Sequence, residues 1–110
     1  HGKMADIRNM IRRHDDWLCG KPDGKRFVAD GMDLTGGEFK DANLHRAIFR
    51  KCRLNGADFA GTNLSNAEMT DCSMDGADFS YSVMTGSDAK GSNLSKARLD
   101  GTILYGIKLA

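Results

Sequence analysis

Residues 54–79 read LNGADFAGTNLSNAEMTDCSMDGADF. The tetrapeptide Gly-Ala-Asp-Phe stands at 56–59 and returns at 76–79, 20 residues later. Between the two copies, large apolar residues occupy every fifth position: Phe59, Leu64, Met69, Met74 and Phe79. The same step continues upstream through Leu54, Phe49, Leu44, Phe39 and Leu34, and downstream through Met84, Ala89, Leu94, Leu99, Leu104 and Leu109. Fifteen of these 16 positions are Leu, Phe or Met, and no Leu or Phe after Leu34 lies off the series.

A period of five matches neither the 3.6 of a helix nor the 2 of an extended strand. It requires a short extended piece and a bend in every pentad. A second series runs two residues earlier and is built of small side chains, among them Ala47, Cys52, Ala57, Thr62, Ala67, Cys72, Ala77, Ser82 and Ser87. Both series are expected to point inward, the large residue from the extended piece and the small one at the tight corner. Glycine recurs two residues after the large position, at 36, 56, 61, 76, 86, 91, 101 and 106, where a turn needs positive φ.

The longer period is twenty. Phe39, Phe59 and Phe79 repeat at that spacing, as do Cys52 and Cys72. Four pentads then make one turn of a four-sided coil, and like residues stack on like at about the 4.8 Å of neighbouring strands. Met32 and Ile107, at small-residue positions, and Ala89, at a large one, depart from the pattern.

The pentads Asp41-Ala42-Asn43-Leu44, Gly56-Ala57-Asp58-Phe59, Gly76-Ala77-Asp78-Phe79 and Gly91-Ser92-Asn93-Leu94 resemble the pentapeptide-repeat family over roughly residues 27–110. The resemblance implies an all-β solenoid, a right-handed quadrilateral β-helix of about four coils, forming a rod roughly 19 Å long. It also implies a non-catalytic scaffold or protein–protein interaction module of bacterial or phage type. The alternative it implies is a DNA mimic that binds or protects a type II topoisomerase such as DNA gyrase. Members of that kind carry a strongly acidic surface and dimerise through their C-terminal end.

Ahead of the repeats, residues 4–19 predict an amphipathic helix with Ile7, Met10, Ile11, Trp17 and Leu18 on one face. Gly20 ends it, and Lys21-Pro22-Asp23-Gly24 forms a turn. Residues 1–26 are thus expected to form a cap and residues 27–110 the solenoid, with Trp17 as the plug of the first coil and Phe27 beside it. His1-Gly2 reads as the remnant of a purification tag, with Met4 as the natural start.

The net charge of the 110 residues is +1. Residues 1–26 carry seven Lys or Arg against four Asp or Glu, and residues 27–110 carry nine against 11, giving +3 and −2. Neither value is a global field that calls for nucleic acid or an anionic membrane. No apolar run is long enough to span a bilayer. Three cysteines without a zinc or disulfide spacing suit a reducing cytoplasm.

The candidate sites are few. Cys52 and Cys72 share an interior column, where Cys is a small buried residue rather than a ligand. Glu38, Asp58 and Asp78 form an outward column of carboxylates, explained by the turn chemistry of the repeat. No nucleophile–base set, phosphate loop or metal motif is present, so neither an enzyme nor a cofactor is expected. His45, Arg46, Arg50, Lys51 and Arg53 gather the solenoid's basic charge at one corner and form a candidate anion site. Without interleaved aromatics that corner argues against nucleic acid, and Arg53 over Asp33 and Lys51 over Asp71 suggest ordinary ion pairs. Val83, Ile103, Tyr105, Ile107 and Leu109 concentrate apolar surface toward the C-terminus and form the candidate protein interface. The expected partner is a protein, in the first place a second copy of the chain meeting it end to end through the C-terminal coil. The competing expectation is a chain that continues beyond Ala110.

Overall fold

The computed structural model describes residues 3–110, so the reading of His1-Gly2 lies outside the described residues. Helix α1 covers Lys3–Leu18, and strands β1 (Val28–Asp30), β2 (Ile48–Arg50) and β3 (Glu68–Thr70) follow. The strands lie parallel in the order β1-β2-β3, with Val28 opposite Ile48 and Ile48 opposite Glu68. The offset is twenty, and it holds on the other sides of the coil. Asp33 pairs with Arg53, Glu38 with Asp58, and Asn43 with Asn63, each by a single bridge. The chain therefore winds as a right-handed quadrilateral β-helix, in which one side carries formal strands and the other three carry isolated bridges.

The corner is made the same way throughout. From Gly31 to Gly106 every fifth residue has positive φ, 16 positions of which nine are glycine. The other seven are Asp41, Arg46, Lys51, Asn66, Asp71, Tyr81 and Lys96. A side chain in that region costs roughly 1–2 kcal/mol, so these corners are held by what surrounds them. Part of the hold is the ladder, since the amide of each corner residue from Gly31 to Gly86 donates to a carbonyl of the next coil, as Lys51 does to Thr70 at 3.0 Å. The Asp or Asn of each pentad supplies another part. Asn63 and Asp78 accept from the amides two residues on, at 3.0 and 2.9 Å.

The interior is columnar and apolar. Phe39, Phe59 and Phe79 stack nearly parallel, with centroids 4.7 and 5.1 Å apart and planes inclined by 6° and 3°. Phe49 meets Phe39 and Phe59 edge-on from the opposite side of the coil. Leu34, Leu44, Leu54, Leu64, Met69, Met74 and Met84 fill the remaining columns and are fully buried. At some of the small inward positions a hydroxyl reaches back 23 residues to a carbonyl, whereas the buried hydroxyls of Ser82 and Ser87 make no hydrogen bond. Thr62 Oγ1 donates to Phe39 at 2.7 Å and Thr102 Oγ1 to Phe79 at 2.6 Å.

Helix α1 lies on the first coil and ends as expected at Gly20, whose φ is 72°. The amide of Gly20 donates to Trp17, and that of Lys21 to Asp16, closing the last turn. Gly24 then passes so close to the backbone of Trp17 that a Cβ would collide with it. The plug differs from the expectation. Ile7 and His14 are the buried residues of the helix among those described, whereas Trp17 sits half-buried at the rim. There the guanidinium groups of Arg26 and Arg46 lie over its ring, 5.3 and 5.4 Å from its centre.

The reason is chemical. A coil end presents amides and carbonyls as well as apolar side chains, and an indole cannot answer both. His14 can. The amide of Phe27 donates to its Nδ1 at 2.9 Å, so Nε2 carries the proton and donates to the carbonyl of His45, also at 2.9 Å. That carbonyl is one coil below Ser65, whose own carbonyl accepts from Arg46 in the regular ladder. The imidazole thus supplies the hydrogen bond that a preceding coil would have made.

Truncating Phe59, which is gripped by aromatic rings on three sides, should cost about 3–5 kcal/mol. Urea denaturation of Phe59→Ala measures it, and a midpoint close to that of the wild type would refute the stacked column.

Burial holds the pKa of His14 below its ordinary 6.5, against a smaller upward pull from its bond to His45. The folded state therefore keeps His14 neutral while the unfolded chain takes up a proton near 6.5. Its contribution is complete above that value and is lost as the pH falls through it toward the lowered native value. The melting midpoint should drop between pH 7.5 and 5.5, and the drop should shrink in His14→Gln. A wild-type midpoint that is flat across this range contradicts the assignment.

Candidate interaction surfaces

The solenoid offers its chemistry on outward columns, and the structure shows how each is used. In the carboxylate column Glu38 pairs with Asp58 and Asp58 with Asp78, and the next rung places Arg98 on Asp78. Asp58 and Asp78 each spend an oxygen on the amide two residues ahead, Ala60 and Ser80, both at 2.9 Å. These carboxylates shape turns. Among the described residues no three His, Cys, Asp or Glu side chains converge as metal ligands would.

Cys52 and Cys72 are free, buried thiols. Cys52 Sγ approaches the carbonyls of Ala29 and Arg50, both at 3.3 Å. Cys72 Sγ approaches those of Phe49 and Thr70, at 3.5 and 3.3 Å. Each thiol thus reaches back 23 residues as the Thr62 and Thr102 hydroxyls do. The neighbouring Cys52 sulfur and burial push the Cys72 thiol up, which keeps it protonated. Cys19, at the end of α1, is exposed.

The five residues of the basic corner are spread around the coil. His45 Nδ1 lies 2.9 Å from the Ser65 carbonyl and 2.8 Å from its hydroxyl. Arg46 stacks on Trp17. Arg50 makes a two-point pair with Glu68, at 2.8 and 3.1 Å, which holds that carboxyl below the usual range. Lys51 occupies a corner with φ 54°, and Arg53 lies between Asp33 and Ser73 on another side. Three of the five are thus engaged within the chain.

At the C-terminal end the surface changes character. Val83 and Ile103 continue the column that begins with Asn43 and Asn63, so this side turns from polar to apolar along the rod. Tyr105 is 82% exposed, Tyr81 73%, Leu109 57%, Ile103 51%, Leu99 41% and Leu104 38%. Ile107 is half-buried against the core. Tyr81 lies across the corner of the next coil, where a Cβ on Gly101 would strike its ring.

Leu99 and Leu104 belong to the inward series, and the sequence reading did not single them out as surface. They are exposed because the last coil has no rung above it among the described residues. In earlier coils the amide of each large residue donates to a following coil, as Phe79 does to Arg98 and Met84 to Ile103. Those of Leu94, Leu99 and Leu104 point the same way by the same repeat. Their place in the final twenty residues was the available signal.

Residues 30–99 match a family model described as a pentapeptide repeat region. No curated protein matches the chain. Among solved structures, HetL, a pentapeptide repeat protein involved in heterocyst differentiation regulation in the cyanobacterium Nostoc sp. strain PCC 7120, is 27% identical. That alignment covers 69% of this chain and 38% of HetL, with a TM-score of 0.37. Rfr23 from the cyanobacterium Cyanothece 51142 is 20% identical over 81% of this chain and 65% of its own, with a TM-score of 0.46. QnrB1, a plasmid-mediated fluoroquinolone resistance protein, is 20% identical over 79% of this chain and 67% of its own, with a TM-score of 0.27. The aligned region is thus under two-thirds of both HetL and Rfr23.

Proposed function

The chain belongs to the pentapeptide-repeat family, and from that premise we propose that it is a non-catalytic interaction module whose docking surface is its last coil. The observation that carries the reading is the exposure of Leu99, Leu104 and Leu109, residues of the inward series, beside Ile103 and Tyr105. A coil end combines apolar side chains with amides and carbonyls that need partners, and another coil end satisfies both. The occupant is a second copy of the chain, related by a two-fold axis so that identical last coils face each other. The opposite end is covered by α1, which directs association to this one. Asp58, Asn63, Asp78, Thr62, Thr102 and Arg50 are spent on turns and neighbouring rungs, which supports a structural rather than a catalytic use. Three free thiols suit a reducing, cytoplasmic setting.

The topoisomerase reading finds less support. It asks for a continuous acidic surface, whereas residues 27–110 sum to −2 and the carboxylate column ends on Arg98. In a gyrase supercoiling assay with a fluoroquinolone, equimolar protein is expected to leave the inhibition unchanged. Protection at that ratio would restore the DNA-mimic reading.

Light scattering should show a dimer at high micromolar concentration, and Ile107→Lys combined with Leu109→Asp should return it to the monomer. A wild-type monomer would end the dimer reading. A dimer indifferent to both changes would move the contact to the Val83, Ile103 and Tyr105 side.

A further inference from the structure

Two clefts flank α1 where it lies on the first coil, and their charge differs. One is lined by Arg8 and Lys40 but also by Asp15, Glu38 and Asp41, so its cations are matched by carboxylates. The other, of about 100 Å³, is lined by Arg13, Lys25 and Arg26 with Asn9, Met10, Phe27 and Val28, and no carboxylate is among them. Three cations around one concave space repel one another unless an anion or water separates them. Such a volume has room for several waters, and therefore for a tetrahedral oxyanion.

The backbone and one side chain of this set are fixed in advance. The amide of Lys25 donates to the carbonyl of Arg13 at 2.9 Å, tying the turn to the helix. Arg26 donates from Nε to the carbonyl of Arg46 at 2.6 Å while its guanidinium lies 5.3 Å from the Trp17 ring centre. That bond uses one of its five N–H groups. Glu68 feels the charge of Arg26, but Arg50 holds that carboxylate in a two-point pair. A held guanidinium beside a second arginine and a lysine is a geometry suited to a phosphate's several oxygens.

We propose that the cleft between α1 and the first coil, lined by Arg13, Lys25 and Arg26, binds a phosphate group, either as the free ion or as an ester whose apolar part lies against Met10 and Val28. This site shares no lining residue with the basic corner of His45 to Arg53, although Arg26 bonds the Arg46 carbonyl, and it does not depend on the state of the C-terminal coil. It also gives the +3 charge of residues 1–26 a use that capping alone does not require.

The test is a titration of amide chemical shifts with inorganic phosphate, phenyl phosphate and benzoate at constant ionic strength, since surface charge effects are screened by salt. Saturable shifts are expected at Asn9, Arg13, Lys25, Arg26 and Val28. The double variant Arg13→Ala with Lys25→Ala, both exposed positions, should bind at least about tenfold more weakly at an unchanged melting midpoint. Tighter binding of phenyl phosphate than of inorganic phosphate identifies an ester as the ligand, and equal binding identifies the free ion. Shifts that do not saturate, a double variant that binds as well as the wild type, or benzoate binding as tightly as phenyl phosphate would each overturn the proposal.

Discussion

The positive φ adopted by every fifth residue from Gly31 to Gly106 is the constraint on which the rest of the molecule depends. It turns the chain through a corner after each short extended piece, and four such corners bring it back over itself after twenty residues. Only with that closure do Phe39, Phe59 and Phe79 stack, and only then do the amides of the large and corner residues meet carbonyls in the neighbouring coil. The conformation is unfavourable for Arg46, Lys51, Tyr81 and Lys96 taken singly. It is stabilised because each corner is shared by a ladder in which the coils above and below impose the same path. A solenoid of this kind is determined collectively, and its energy is a sum over neighbouring coils.

The two ends cannot benefit from that collective support in the same way, and the protein treats them differently. At the N-terminal end α1 supplies Ile7 to the apolar interior and His14 to the polar rim. The imidazole accepts from one coil segment and donates to another, 18 residues further along the chain. No aliphatic or indole side chain offers both an acceptor and a donor at that separation. At the C-terminal end, inward residues meet no further rung among the described residues, so Leu99 and Leu104 lie at the surface. Among the described residues the first coil is covered by the helix while the last carries exposed apolar side chains.

Between the ends the side-chain chemistry is largely consumed by the fold. Asp and Asn before the large residue fasten the turn two residues ahead, Thr62 and Thr102 tie the coil 23 residues back, and Arg50 is held by Glu68. Residue types that in a cleft would suggest acid–base chemistry here carry hydrogen bonds that a regular solenoid needs. The clefts next to α1 are the exception, because there a helix meets a coil without the repeat to dictate what each position does. Charge that the ladder does not use collects on one side of that seam.

The sequence by itself determined the repeat. A period of five with a superperiod of twenty stacks the large residues in four inward columns, and Phe59, Leu64 and Cys72 could be placed inside from spacing alone. It also located the helix and its end at Gly20, since capping and amphipathic spacing are local properties. What only the tertiary structure decided lies wherever two unlike elements meet. Hydrophobicity pointed to Trp17 as the plug, yet the coil end needed a hydrogen-bonding group, and His14, seven residues and two helical turns from Ile7, took the place. The five basic residues of the corner are close in sequence, but a chain that turns every five residues sends them to different sides. The grouping of Arg13, Lys25 and Arg26 could not be read from their order, because it depends on the angle at which the helix crosses the coil, and no local pattern encodes that angle.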